Sequence, residues 1–394
     1  MDYIDPYYEY DLTLLEKTIK AAQREAKINS IKLYYAIKAN HEPEILSKIL
    51  DVNLGIDAVS QEEIKHSIHL GFSPDNIVFA GSGKTYREIE YALYTNIKII
   101  HCESKEEFHI IKKLKRNLNS MTSIALRLNP DFKVNTQEKI ATGEDAHKFG
   151  LTLVEAKELI AENANDIIGF HIHVGSQIED LAYFESLSKH IAEILDNIPN
   201  YTPSYLNLGG GLGINYNDPI RFPIPDFQGW MQSIRKYLPE SKFPEISLEP
   251  GRSLVGQCGK IIAQVQYIKK REKCKIALLN VGMSSLIRPM LYGAFHKMTS
   301  QNSTLVFDTY RIAGPSCEST DIFHDSYDIE KLFIGDIVEI HSTGAYGASM
   351  HLTYNLKAPI AKKFVSRNIK TNIKSSYEKA ISSSENLCKM WTHL

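Results

Sequence analysis

Short apolar runs alternate with longer amphipathic segments about eight times between roughly residue 25 and residue 255, and this rhythm constrains the fold more than any other feature. KLYYAIKAN precedes EPEILSKIL, LGIDAVS precedes QEEIKHSIHL, NIVFAG precedes REIEYALY and IKIIHCES precedes EEFHIIKKL; further units begin at SIALRLNP, IIGFHIHVGS, YLNLGGGLG and EISLEPGR. A strand-then-helix unit repeated this often closes into an α/β, (β/α)8 TIM-type barrel, here expected over residues 13–256, whose chemistry sits at the C-terminal strand ends.

After Arg252 the rhythm changes. GKIIAQVQYIKK, KIALLNVG, TLVFDTYRIAG, DIVEIHSTGAYG and IAKKFV read as strands without regular helices between them, the pattern of a C-terminal antiparallel β domain. That domain is expected over residues 257–394, completed by an N-terminal strand within residues 1–12 that contains YYEYDL. The Ser/Lys-rich end, NIKTNIKSSYEKAISSSENLCKMWTHL, is expected to finish in a short helix.

The strand ends carry Lys38, Asp57, the GSGK loop at 81–84, Glu103, Arg127 with Asn129, His171 with His173, the glycines 209–211, and Glu249 with Arg252. A lysine ending an aromatic, branched strand is the group imine chemistry uses, because desolvation lowers its pKa and makes the neutral amine available. Gly209, Gly210 and Gly211 let backbone N–H groups approach an anion. Glu249 is suited to hold a pyridine nitrogen protonated, and Arg252 to bind a carboxylate or phosphate. His171 and His173 point the same way; one is a candidate core histidine and the other a candidate to stack on a flat cofactor.

Several alternatives fall away. Asp plus Glu (47) and Lys plus Arg (45) nearly cancel, which gives no reason to expect nucleic acid or an anionic membrane as partner. Five scattered cysteines without a C-x-x-C pair argue against a disulfide framework and against a zinc site, so no metal is expected. With no long apolar run and no signal-like N-terminus, the expected location is cytoplasmic. The GKT at 83–85 invites a P-loop reading, but the required glycine would fall at Val78; likewise Ile214 stands where a dinucleotide loop needs glycine.

The blocks YYAIKAN, GIDAVSQEEI, RLNPD, KFG, HIHVGSQ, LNLGGGLG, LEPGRSLV, IRPMLYGA, GPSCESTD and GAYGASM resemble, in the same order along nearly the whole chain, the fold-type III pyridoxal-phosphate decarboxylases with their alanine racemase-like barrel, and within them the diaminopimelate decarboxylases. The resemblance implies that Lys38 carries pyridoxal 5'-phosphate, that His173 stacks on its ring and that Glu249 pairs with the ring nitrogen. Gly210, Gly211, Gly251, Ser176 and Tyr346 would bind the phosphate, with Asp57 near the lysine and Arg252 beside the cofactor. Cys317 would return a proton to carbon across a homodimer interface, so that Cys317 and Glu318 reach each active site from the partner subunit.

Diaminopimelate presents a distal carboxylate together with a distal ammonium, a pair that two arginines and one carboxylate suit. By resemblance Arg252, Arg288, Tyr292, Glu318 and Tyr346 are the substrate-binding set, Glu318 taking the ammonium. The implied reaction is decarboxylation of meso-2,6-diaminopimelate to L-lysine and CO2, the last step of lysine biosynthesis. A same-fold decarboxylase for carboxynorspermidine, lysine, ornithine or a siderophore precursor is the competing reading. A racemase or a catalytically dead homologue is opposed by the CESTD and IRPMLYGA blocks and by the presence of both Lys38 and Cys317. The chain departs from the family pattern at Asn280–Ser285 and in the GSGK loop.

Overall fold

The computed structural model describes residues 3–132, 148–302 and 304–366. The C-terminal stretch with its expected short helix, and Cys388, lie outside them.

Eight parallel strands close into a barrel: β2 (Ile31–Ala36), β3 (Gly55–Ala58), β4 (Ile77–Phe79), β5 (Ile99–Cys102), β6 (Ser123–Arg127), β7 (Ile167–His171), β8 (Tyr205–Asn207) and β9 (Ile246–Leu248). The eight strands are those expected from the repeat. β3, β4, β5, β8 and β9 are buried at every position, as strands are when helices cover one face and barrel packing fills the other. Closure is made where Leu33 of β2 aligns with Leu248 of β9. Tyr34, Val78, Ile99, Ala125 and Tyr205 fill the barrel interior. Helices start where the sequence offers a cap: Ser60 and Ser104 each accept from the N–H three residues on, and Thr85 and Thr152 form reciprocal capping boxes with Glu88 and Glu155. After β3 and β5 the cap follows the strand within two residues, so these strand ends stay close to the mouth.

The second sheet runs β12 (Met298–Ser300), β15 (Ile337–Ile340), β10 (Gly259–Lys270), β11 (Lys275–Leu279), β13 (Phe307–Ala313), β14 (Ile322–Glu330). β1 (Tyr7–Asp11) pairs antiparallel with β10 and parallel with β16 (Ala361–Val365). The sheet is mainly antiparallel, with β11–β13 and β1–β16 as parallel pairings. Among the described residues no helix is long and apolar enough to cross a membrane.

Candidate active site

Lys38 lies in the 3₁₀ turn Ile37–Ala39 that ends β2. The turn is anchored from the second sheet's side: Tyr346 N–H and Ser349 Oγ donate to Ala39 O at 2.8 and 3.2 Å, and Asn40 Nδ2 donates to Gly344 O at 2.8 Å. Tyr35 Oη donates to Asn40 O at 2.8 Å. The Ala-Asn that follows the lysine therefore fixes the exit of β2 against the 344–349 loop.

Lys38 Nζ lies 3.4 Å from Asp57 Oδ2. Asp57 is fully buried, whereas the lysine side chain is 38 % exposed in the barrel mouth. Burial pulls the Lys38 amine down, but Asp57, Tyr346, Glu249 and Glu63 together push it further up, so the net direction is upward. The expectation of a lowered lysine pKa is corrected here: the amine does not sit alone in an apolar site but among carboxylates that hold it charged. Burial and the nearby Glu249 push the Asp57 carboxyl up to about 7 against the pull of Lys38.

Glu249 stands just past β9. Its Oε1 accepts from Asn207 Nδ2 at 2.7 Å and its Oε2 meets His171 Nε2 at 3.1 Å. Burial raises its pKa. His171 is the core histidine, its ring stacked on that of His101 with centroids 4.2 Å apart and planes 6° apart; His101 in turn meets Tyr205 Oη at 3.1 Å. Burial holds both rings neutral. His101, His171 and Glu249 form a buried group of metal-ligand type, yet the in-plane lone pairs of parallel stacked rings run side by side and do not converge on one ion. His173, two residues on, faces the cavity and accepts from Gly210 N–H through Nδ1 at 3.2 Å.

Lys38, Asp57, His173, Ser176, Gly210, Gly211, Glu249, Gly251, Arg252 and Tyr346, every cofactor residue expected from the sequence, line one cavity. A second cavity opens from it past Arg127, Phe132, Phe149 and Gly175. Arg127 Nη1 lies 2.5 Å from Glu103 Oε1, and Gly150 N–H donates to Glu103 Oε2 at 3.0 Å, which fastens the KFG block to the mouth.

Arg252 Nη1 donates to Tyr216 Oη at 2.6 Å and Nη2 to Ser176 Oγ at 3.0 Å. Arg288 Nη1 donates to the same Tyr216 Oη at 2.8 Å and to His296 Nε2 at 2.8 Å. The structure thus joins Arg288 to the cavity through a phenol that the sequence reading did not single out. Glu63, pushed up to about 7 chiefly by burial, was also missed; it follows SQE at a helix start, where it reads as a capping residue. Four expected residues do not line this cavity: Arg288, buried and joined to it only through Tyr216, and Tyr292, Cys317 and Glu318. Tyr292 is 65 % exposed, and Cys317 and Glu318 lie on an exposed loop tied to 354–355 by Cys317 N–H to Asn355 Oδ1 (3.1 Å) and Tyr354 Oη to Glu318 Oε1 (2.6 Å).

The GSGK lysine is structural. Lys84 Nζ donates to Gly81 O, His101 O and Glu107 Oε1 at 2.7 to 2.8 Å, almost fully buried. The unusual Asn280–Ser285 run is structural too: Asn280 bonds Ile4 O and Gln264 N, and Leu352 N–H donates to Ser284 O.

Residues 12–256 match the family model described as pyridoxal-dependent decarboxylase, pyridoxal binding domain. The diaminopimelate decarboxylase of Bacteroides thetaiotaomicron is 38 % identical over 359 residues, covering 89 % of this chain and 93 % of the relative. The chain belongs to the diaminopimelate decarboxylase family. The Zymomonas mobilis family member is 34 % identical over 376 residues, 93 % of this chain and 89 % of its own. The crystal structure of the Helicobacter pylori diaminopimelate decarboxylase complexed with L-lysine superposes with a TM-score of 0.85 at 30 % identity, covering 92 % of each chain.

Membership makes this a pyridoxal-phosphate-dependent carboxy-lyase, and the cavity fits that group. A Cβ on Gly209 would fall 2.5 Å from His173 Nδ1, and one on Gly210 2.4 Å from Glu249 O, so only glycine leaves this cradle open beside His173. Asp57 Oδ1 and Arg252 Nε are buried with no hydrogen-bond partner among the described residues. A carboxylate bound only by neutral donors, an open backbone cradle and an unpartnered guanidinium N–H suit a flat ring that carries a basic nitrogen and an anionic arm.

Proposed function

We propose that the chain decarboxylates meso-2,6-diaminopimelate to L-lysine and CO2, the last step of lysine biosynthesis. The observation that carries this reading is the meeting of Arg252 and Arg288 on Tyr216 Oη beside the Lys38–Asp57 cavity, because two guanidiniums in one site call for a substrate with a carboxylate to spare. Named relatives at 34 to 38 % identity support it.

In our assignment Lys38 would carry pyridoxal phosphate through its amine, Glu249 would hold the ring nitrogen, and His173 would lie against the ring face. Gly210, Gly211, Gly251, Ser176 and Tyr346 would hold the phosphate, with Arg252 beside the cofactor. When bound, the cofactor supplies an electron-poor ring that accepts the electron pair left as CO2 departs. The chain's own groups do the rest. Asp57 keeps a proton on Lys38 Nζ, Arg252 and Arg288 hold carboxylate oxygens, and the buried His101–His171–Glu249 stack keeps water from the floor of the site.

Cys317 Sγ is assigned the proton that replaces CO2 on carbon, and Glu318 and Tyr292 the substrate's far end. Their exposure away from the cavity supports a homodimer in which the 317–318 loop of one copy completes the site of the other. We read residues 13–256 as the barrel domain and the remainder as the β domain with its N-terminal strand. A cytoplasmic location agrees with cysteines that are unpaired among the described residues.

The test is CO2 release from meso-diaminopimelate, L-lysine and L-ornithine offered separately, with the visible absorption of the protein followed in parallel. Release from diaminopimelate alone, with the visible band and activity both lost in Lys38→Ala, is the expected result. Release from another amine would keep the chemistry and overturn the substrate.

A further inference from the structure

The two arginines meet on one phenol, and Tyr216 and His296, the two groups that fix Arg288, have so far had no role. His296 is fully buried. Its Nδ1 faces His341 O at 2.9 Å, an acceptor only, so Nδ1 carries the ring proton and Nε2 is left as the acceptor for Arg288 Nη1. Burial first, then Arg288, takes the ring's pKa down to about 3, which keeps it in that neutral form.

Tyr216 Oη accepts from both Arg252 Nη1 and Arg288 Nη1, and its two lone pairs are thereby used. Its ring also lies under the Arg288 guanidinium, 5.0 Å from centroid to Cζ, and edge-on to His296 at 5.0 Å. Arg288 Nη1 has only two protons, and Tyr216 and His296 take both. The Nε–Nη2 edge of Arg288, one of the two edges a guanidinium offers to a carboxylate in bidentate fashion, makes no hydrogen bond among the described residues. Arg252 is held differently, with Nη1 on Tyr216 and Nη2 on Ser176, and its buried Nε has no hydrogen-bond partner among the described residues.

We propose that Tyr216 and His296 are positioning residues of the substrate site, which clamp Nη1 of Arg288 and tie it to Arg252 so that the Nε–Nη2 edge is presented to a substrate carboxylate. This inference rests on the functional reading above. Without the clamp the two like-charged guanidiniums would separate and the substrate would have to order them on binding, a cost that falls on carboxylate affinity and not on the chemical step.

The test compares the pyridoxal-phosphate-loaded parent with Tyr216→Phe, His296→Leu and His296→Gln. Calorimetric affinities are measured for L-lysine and for 1,5-diaminopentane, the same carbon chain without the carboxylate, and KM and kcat for meso-diaminopimelate. Tyr216→Phe keeps the ring under Arg288 but removes the shared acceptor; it should weaken L-lysine about tenfold, equivalent to about 1.4 kcal/mol, and leave diaminopentane within about twofold. KM should rise with it while kcat falls less than about threefold. His296→Leu should act likewise, and His296→Gln, whose amide oxygen can accept from Arg288, should restore most of the loss.

Equal weakening of both ligands, or no weakening of L-lysine in a folded variant, would overturn the clamp. If Tyr216→Phe does not fold, the His296→Leu and His296→Gln pair decides alone. A parent that binds L-lysine better than diaminopentane but releases no CO2 from diaminopimelate would sink the functional reading while the binding comparison still judges the clamp.

Discussion

His171 Nε2 lies 3.1 Å from Glu249 Oε2 while Asn207 Nδ2 lies 2.7 Å from Oε1, so neutral donors on two neighbouring strands hold both oxygens of a buried carboxylate. No directly bonded cation balances its charge among the described residues. Glu249→Gln keeps the shape and one acceptor oxygen but removes the charge. The variant should fold, retain bound pyridoxal phosphate by its visible absorption, and lose about 10²- to 10³-fold in kcat. A kcat within about threefold of the parent would remove Glu249 from the reaction.

Asp57 and Glu63 are both pushed up to about 7, in each case chiefly by burial. A carboxyl whose folded pKa exceeds its unfolded value holds its proton more tightly when folded, so its contribution to stability is full below about pH 4 and is lost as pH climbs through 7. Without added cofactor, melting temperature should therefore fall between pH 5 and pH 7 by at least about 2 °C more in the parent than in Asp57→Asn. Parallel falls in parent and variant would show that Asp57 does not titrate in this window.

Lys84 and Glu107 form an almost fully buried pair, the lysine also held by two carbonyls. Lys84→Met strips Glu107 of its cation in a place water does not reach. Urea denaturation should show a loss of about 3 to 5 kcal/mol, far more than a surface pair would give. ATP should leave the unfolding midpoint of the parent unchanged; stabilisation by ATP would revive the phosphate-loop reading of GSGKT.

Completion of each site by the other copy predicts complementation. Lys38→Ala and Cys317→Ala should each lose most of their activity, about 10²-fold or more. Mixed as unfolded chains and refolded together, they should recover up to about a quarter of the parent activity, because half of randomly paired dimers carry one intact site of two. Recovery no greater than the sum of the two variants would place Cys317 and Lys38 in the same copy or in no shared site.

The eight barrel strands were legible because each is largely apolar and a polar residue or glycine lies at its end or within a few residues beyond it. β14 was not: Phe323 and Tyr327 are interspersed with His324, Asp325, Ser326 and Asp328, three of them exposed, so no apolar run marks it. Lys38, Asp57, His173, the glycines 209–211 and Glu249 could be singled out because they sit at strand ends or glycine turns, whereas Ser176, Gly251 and Tyr346 came from the family resemblance alone. Tyr216 and His296 could not, since each lies in a loop and acquires its meaning only when the barrel and the second sheet bring the two arginines together. The charge on Lys38 was misread for another reason: Asp57 and Glu249 stand at strand ends like the lysine itself, but whether burial or these carboxylates wins depends on distances that only the fold sets.

β1 has a consequence for how the chain is made. Tyr10 aligns with Gly259 on one side and Phe364 on the other, partners that leave the ribosome roughly 250 and 350 residues later. β1 must wait, unpaired, while the barrel strands that follow it are made, and the 344–349 loop that steadies the Lys38 turn comes later than all of them. Catalytic competence should thus arrive late, and a ribosome stalled before β10 has emerged should hold a barrel with β1 still unpaired, whereas one stalled shortly before Ala361 should leave β1 paired on its β10 side alone.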